Sequence, residues 1–452
     1  MHQFNKRCTI LPLALAVSMG AAVLLFGGSA NGADIRPVRF VMPNGLTVLV
    51  VEQHALPIIQ VQALVKVGSA QDPSNKAGLA NLVASLLDEG TTTRTAKQIA
   101  EQIEFVGGSL TVRASEDYTM AAARVLKKDA ALGFDLLADI LLHPSFPERE
   151  LQRVRTQILG QILSEKDDPG QVAAKAFYQL VFPEHPYRWP VNGTEESVPT
   201  LTRSDVQGLF TREYVPNQTI LSIVGDVTVE QARARVAKHF GQWKQKPVSA
   251  RSTSAAAQPE KPITQYIDKD LTQASIMLGH VGISRSNPDY YAISVMNYIL
   301  GSGGFSSRLM DSIRDRQGLA YGVYSTFEAN LMPGAFLVSL QTRNEKADQA
   351  ISGVMVEINR IRSEAVTDQE LADAKAYLMG SFPLRLDTTA KLAVVASLVE
   401  FHGLGLDYFS QYPHWIDKVT RKDVLRVARQ YLHPDRYALV LVGNLAQAKV
   451  KN

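Results

Sequence analysis

Residues 202–225 read Thr202-Arg-Ser-Asp-Val-Gln-Gly-Leu-Phe-Thr-Arg-Glu-Tyr-Val-Pro-Asn-Gln-Thr-Ile-Leu-Ser-Ile-Val-Gly225. Their skeleton returns near the C-terminus: Thr202-Arg-Ser-Asp-Val206, Pro216 and Gly225 recur as Thr420-Arg-Lys-Asp-Val424, Pro434 and Gly443, each displaced by 218 positions. Each copy is a helix, a tyrosine (Tyr214, Tyr431), a proline turn and an apolar strand ending on glycine. A Thr that opens a helix and a Pro that follows it are local signals. Their return in the same order at one offset is not local, and it predicts a duplicated fold.

The duplication extends outward from this block. Asn75–Gly90 and Asn287–Gly301 both read as helices that follow a β-rich run. Residues 38–67 hold three such runs, the first two joined by Pro43-Asn-Gly45, where Asn-Gly supplies the backbone angles of a tight hairpin turn. Thr95-Ala-Lys-Gln98 has the form of a capping box and opens a helix to Val106, after which Gly107–Val112 and Tyr118–Val125 alternate like paired strands. Helices are predicted over Ala130–Leu142 and from Pro147 to about Glu165, stopping before Asp167-Asp168-Pro169. The stretch 246–262 is rich in Ser, Ala and Pro and lacks an apolar period, so it reads as a linker. The expected organisation is an N-terminal domain at 34–245, the linker, and a C-terminal domain at 263–452. The fold class is α+β: two homologous α/β sandwich domains, each with a mostly antiparallel sheet packed by helices.

Residues 1–33 combine Lys6 and Arg7, an apolar run from Thr9 to Phe26 and a small-residue tail, the layout of a secretory signal peptide. Export, in a bacterium to the periplasm, is the expectation. The run approaches membrane-spanning length, so an uncleaved anchor in the inner membrane is the alternative. Cys8 is the only cysteine, and without residues 1–33 the chain has no thiol for a disulfide or a nucleophile. A hydrophobic share of 46% and a net charge of +3 describe an ordinary globular chain with no electrostatic footprint for nucleic acid.

Gly78-Leu-Ala-Asn-Leu-Val-Ala-Ser-Leu-Leu-Asp-Glu-Gly-Thr91 reads as a buried helix with two small polar residues, Asn81 and Ser85, one turn apart. This stretch, with its Gly-Leu-Ala lead and Gly-Thr exit, resembles the zinc-motif helix of the pitrilysin/insulinase-type metallopeptidase family. That family carries H-x-x-E-H, in which two histidines bind zinc and a glutamate activates water. The resemblance implies that Asn81 and Ser85 stand where the histidines would be and Ala84 where the glutamate would be. The third ligand, located by counting back from Asp167-Asp168-Pro169, falls at Gln161. Neutral amides, a hydroxyl and a methyl are poor zinc ligands and no general base. No metal is expected on this chain. The nine histidines offer no pair at i,i+3 or i,i+4, and no G-x-S-x-G elbow is present.

The second half holds Leu300-Gly-Ser-Gly-Gly-Phe-Ser-Ser-Arg-Leu309 followed by Met310-Asp-Ser-Ile-Arg-Asp-Arg-Gln-Gly-Leu-Ala-Tyr321. It is similar to the family segment in which an Arg and a Tyr seven residues later reach the substrate, which gives Arg314 and Tyr321, with Gly301, Gly303 and Gly304 allowing close approach of a peptide. A guanidinium and a phenol can both donate to a carbonyl or to the oxyanion formed from it. The alternative for these residues is an Arg314 salt bridge to Asp311 or Asp315 and a Tyr321 packed in the core.

The resemblance therefore implies the subunit of a heterodimeric bacterial peptidase that lacks H-x-x-E-H, akin to the alpha-type subunits of mitochondrial processing peptidase. The partner would be a homologue that keeps the motif and its zinc, and the substrates peptides. The rival reading is a non-catalytic structural or peptide-binding protein of the same fold.

Overall fold

The Asn44-Gly45 turn, with Gly45 at φ 84°, joins β1 (Val38–Val41) to β2 (Thr47–Glu52) as an antiparallel pair. The computed structural model describes residues 35–248 and 256–448. The signal-peptide reading of residues 1–33 lies outside them, as does the middle of the predicted linker. Among the described residues no helix is long and apolar enough to cross a membrane.

The first sheet adds β3 (Ile58–Val65), β4 (Ser109–Ala114), β5 (Thr119–Leu126) and β6 (Thr219–Gly225), in the order β1-β2-β6-β3-β5-β4. The second comprises β7 (Ile263–Asp268), β8 (Gln273–Val281), β9 (Ala320–Phe327), β10 (Ala335–Arg343) and β11 (Ala438–Gly443), in the order β7-β11-β8-β10-β9. With β1 set aside, the two orders superimpose strand for strand. The one parallel pair, β2 with β6, matches β7 with β11. The remaining pairs are antiparallel, as the α+β reading expects.

Between the strands of the first sheet run α1 (Leu79–Leu86), α2 (Ala96–Phe105), α3 (Ala130–Leu142), α4 (Glu148–Ser164), α5 (Pro169–Val181) and α6 (Arg203–Glu213), with α7 (Val229–Phe240) following β6. The second sheet carries α8 (Tyr290–Asn297), α9 (Ala347–Ser363), α10 (Asp368–Gly380), α11 (Thr389–Phe401), α12 (Tyr408–Asp417) and α13 (Arg421–Tyr431), and α14 (Leu445–Ala448) closes the described chain. The repeated block is α6-β6 and α13-β11. Thr202 with Asp205, and Thr420 with Asp423, form matching capping boxes. The next residue is also used alike: Arg203 donates to the Phe146 carbonyl ahead of α4, and Arg421 to the Val366 carbonyl ahead of α10. Three expectations need correction. The helix read over Asn75–Gly90 spans only Leu79–Leu86, because the chain enters it through Gly78 in the left-handed region. The helix read from Asn287 begins at Tyr290 and ends in a wide π-type turn over Tyr298–Ser302, and Pro147 caps α4 instead of occupying its first turn.

Alternation along the strands explains how the halves join. In β2, β3 and β6, Val48, Val50, Ile59, Val61, Ala63, Leu221 and Ile223 pack beneath Leu82, Phe134 and Leu137 of α1 and α3. The opposite face, Leu49, Val51, Leu64, Ile220 and Val224, packs into a cluster that contains Leu392, Ala393 and Ala396 of α11, from the second half. The exchange is reciprocal: Ala173, Ala176, Phe177 and Val181 of α5 cover Val281, Leu337, Ala438, Val440 and Val442 of the second sheet. Each central strand is therefore buried on both faces, which is why it reads as a continuous apolar run. Ser397 of α11 accepts from Gln62 Nε2 at 3.0 Å and meets Ser222 Oγ at 2.9 Å, so Gln62 and Ser222 of the first sheet are paired across the halves.

Because each sheet lacks a cover without the other half, residues 35–248 or 256–448 expressed alone should bind a hydrophobic dye and melt without a sharp transition. In the intact chain Phe177→Ala should cost about 3–5 kcal/mol in urea unfolding. A fragment with its own cooperative, dye-silent unfolding would contradict the exchange.

Candidate functional site

The helix that carries Asn81 and Ser85 is fixed at its start by backbone and charge. Gly78 enters α1 at φ 92°, and a Cβ there would lie 2.8 Å from the Asn192 carbonyl oxygen. Asp72 accepts from the Gly78 and Ala80 backbone N–H groups at 2.8 and 2.9 Å, closing the helix N-terminus. Burial outweighs these donors and pushes the Asp72 carboxyl up to about 7. Asp88, at the far end of the same stretch, is pushed up to about 6, again chiefly by burial.

On this helix Asn81 and Ser85 are half-buried on a shared face, while Ala84 is 1% exposed and part of the core. α1 packs against α4, where Gln161 is exposed on the last turn. The structure thus brings together the two helices on which the sequence placed the four degenerate positions. Their side chains do not fit a zinc ion: two amides and a hydroxyl provide no anionic or imidazole donor, and Ala84 has no proton to move. Among the described residues no group of three or more His, Cys, Asp or Glu side chains is placed to share a metal. His185 is buried, and its Nδ1 accepts from the Tyr187 backbone N–H.

Arg314 and Tyr321 lie in the second half, at a wide π-type helical segment (Met310–Arg316) and the start of edge strand β9. The Arg314 guanidinium carbon sits 4.5 Å from the Phe305 ring centre and 4.9 Å from that of Tyr321, so two aromatic faces hold it. Its carboxylate contact is loose, with Nε 3.8 Å from Asp315, whereas Arg316 binds Asp311 at 2.6 Å. Tyr321 is 87% exposed and Phe305 68% exposed, so neither ring is a core residue and the packed-tyrosine alternative fails. Tyr321 and Tyr324 border a cavity of about 430 Å³ between β8, β9, β10 and the first turns of α5, with Gln171 and Gln341 in its wall. This places polar donors of both halves around one recess.

The glycines divide by role. A Cβ on Gly301 would lie 2.4 Å from Ser325 Oγ, and one on Gly303 would lie 2.6 Å from the Tyr298 carbonyl oxygen, so packing within the chain accounts for both. Gly304, at φ 58° with open space around it, is the one at which a ligand backbone has room. Phe305 was missed as a partner of Arg314. Its position inside the Gly-rich loop was visible, but an exposed ring has no sequence period to mark it.

Residues 47–195 match the family described as Insulinase (Peptidase family M16), and residues 200–378 match Peptidase M16 inactive domain. An uncharacterized zinc protease of Mycobacterium leprae is 31% identical over 421 residues, which cover 91% of this chain and 92% of that protein. An uncharacterized zinc protease of Bacillus subtilis is 25% identical over 351 residues, covering 78% of this chain and 85% of that protein. A solved peptidase M16 inactive domain from Pseudomonas fluorescens superimposes with a TM-score of 0.85 at 29% identity, covering 90% of this chain and 98% of that one.

Two outcomes follow from the α1 region. Changing Asn81→His, Ser85→His and Gln161→Glu together should give a chain that retains about one equivalent of zinc by elemental analysis after dialysis, while the unchanged chain retains none. Equal zinc in both would mean that α1 and α4 do not preserve the ligand frame. The second concerns pH. Asp72 has a folded pKa of about 7 against an ordinary 3.8, so the folded state holds the extra proton between these values. Its contribution to stability must then fall as pH rises through that window, and urea unfolding from pH 4 to 7 should show a shallower decline in Asp72→Asn.

Proposed function

The chain belongs to peptidase family M16, the insulinase family, and from this premise we propose that it serves as the metal-free subunit of a two-chain metallopeptidase. The observation that carries the reading is the Phe305–Arg314–Tyr321 stack, a guanidinium and a phenol held at the surface beside a peptide-sized recess. Two large rings exposed on either side of a cation mark a surface suited to contact with a ligand or partner.

Arg314 would orient a peptide carbonyl or carboxylate through its planar donors, and the Tyr321 hydroxyl would donate to oxygen as negative charge builds there. The metal that activates water would belong to a homologous partner that keeps H-x-x-E-H, since α1 and α4 here carry no suitable ligands. Matches to both M16 descriptions, one of them an inactive domain, support pairing with an active homologue. Export rests on the composition of residues 1–33 alone.

The test is reconstitution. This chain mixed with its H-x-x-E-H homologue should hydrolyse an unfolded peptide that neither chain cleaves at that rate alone. Arg314→Ala and Tyr321→Phe should each lower kcat of the mixture by roughly 10²-fold, the loss typical of one oxyanion donor. Full activity with both residues changed would remove them from the reaction. Peptide binding by this chain with no gain on mixing would favour the non-catalytic, peptide-binding reading.

A further inference from the structure

A second recess, sharing no residue with the one beside Tyr321, lies where the two halves meet. It has a volume of about 280 Å³ and is lined by Asp117 and Tyr118 of the β4–β5 turn, Arg285 of the β8–α8 connection, Tyr290 at the start of α8, Phe382 and Arg385, Leu398 and His402 at the end of α11, Leu404, and Tyr408 of α12. Arg285 is its unusual member. The residue is 9% exposed, and among the described residues no carboxylate forms a salt bridge with it. Its guanidinium carbon lies 3.6 Å from the Tyr290 ring centre, 5.7 Å from that of Tyr291 and 5.9 Å from that of Tyr408.

A buried cation without a counter-ion costs several kcal/mol, and a desolvated cation–π contact returns about 2 kcal/mol. The aromatic cage and the hydrogen bonds that Arg285 makes to the Tyr291 and Tyr408 hydroxyls offset part of the penalty but leave the charge without a counter-ion. Phenols do not neutralise it, because burial holds the Tyr291 and Tyr408 hydroxyls protonated, pushed up to about 12. Burial likewise keeps His402 neutral, pushed down to about 4, so it brings an N–H donor without a second buried charge. Asp117, the acid in the wall, is already engaged: it accepts from the Tyr187 hydroxyl at 2.7 and 2.8 Å and from the Leu331 backbone N–H at 2.8 Å. Arg385 is exposed and adds a second guanidinium at the rim.

We propose that this recess binds a carboxylate carried on an apolar body, with the Arg285 fork taking the carboxylate and Tyr118, Phe382, Leu398 and Leu404 taking the apolar part. A peptide C-terminal residue and a small free carboxylic acid share that chemistry. The volume suits one side chain with its carboxylate and excludes a folded chain. Because the wall draws on the β4–β5 turn of the first half and on α11 and α12 of the second, an occupant would also tie the halves together and raise the melting temperature.

The experiment is calorimetric titration of the full chain with N-acetyl-L-phenylalanine, its amide, and a tetrapeptide ending in phenylalanine with a free carboxylate. The acid should bind at least about 10-fold more tightly than the amide, since a charge-assisted fork is lost with the carboxylate. Arg285→Gln should remove that difference. Leu404→Trp, which fills the recess and leaves Arg285 in place, should abolish binding of all three and guards against a misfolded Arg285 variant. Tetrapeptide affinity at or above that of the acid assigns a peptide terminus, and weaker tetrapeptide binding assigns a small free acid. Equal binding of acid and amide, acid binding unchanged in both variants, or no heat up to about 10 mM ligand would overturn the proposal.

Discussion

The fold depends on an exchange of helices. α5 leaves the first half to cover one face of the second sheet, and α11 returns to cover one face of the first. A sheet whose central strands are apolar on both faces has to find two covers, and each half provides only one for itself. Duplication followed by reciprocal cover meets this constraint with a single set of elements. It also brings the β4–β5 turn, the start of α5 and the end of α11 to the junction, where both recesses lie.

Within this frame α1 and α4 pack against each other without bringing metal-binding side chains together. Histidines and a glutamate held on half-buried helix faces are tolerable when a metal balances them, and their charges and desolvated nitrogens become a cost when it does not. Asn81 and Ser85 are neutral and carry no such cost, while Leu82, Val83, Ala84 and Leu86 fill the core. The other half holds an arginine clasped by two exposed rings, the group on which the proposed function rests.

Much of this was legible in the sequence because its signals were local or repeated. The Thr-Arg-x-Asp block fixed two equivalent helix starts, Asn44-Gly45 the first hairpin, and Thr95 with Gln98 a capping box that the structure contains. The helix exchange was not legible. The spacing of Ala173, Ala176 and Phe177 shows that α5 has an apolar face but does not say which sheet receives it, since that choice is made by contacts far apart in the chain. Arg314 and Tyr321 were singled out through resemblance, whereas the residues alone favoured a salt bridge and a core tyrosine. Arg285 gave no signal, because burial of a lone cation is a property of its surroundings.

We propose that Tyr321 works outside its own chain, at a metal held by a partner. The most direct measurement places a benzoyl-phenylalanine photocrosslinker at position 321, adds the H-x-x-E-H homologue and a peptide substrate, and maps the crosslinked residues by mass spectrometry after illumination. Crosslinks to the peptide and to the partner's motif helix are the result this account predicts. Crosslinks confined to the chain's own Phe305 and α5, in the presence of both, would contradict it.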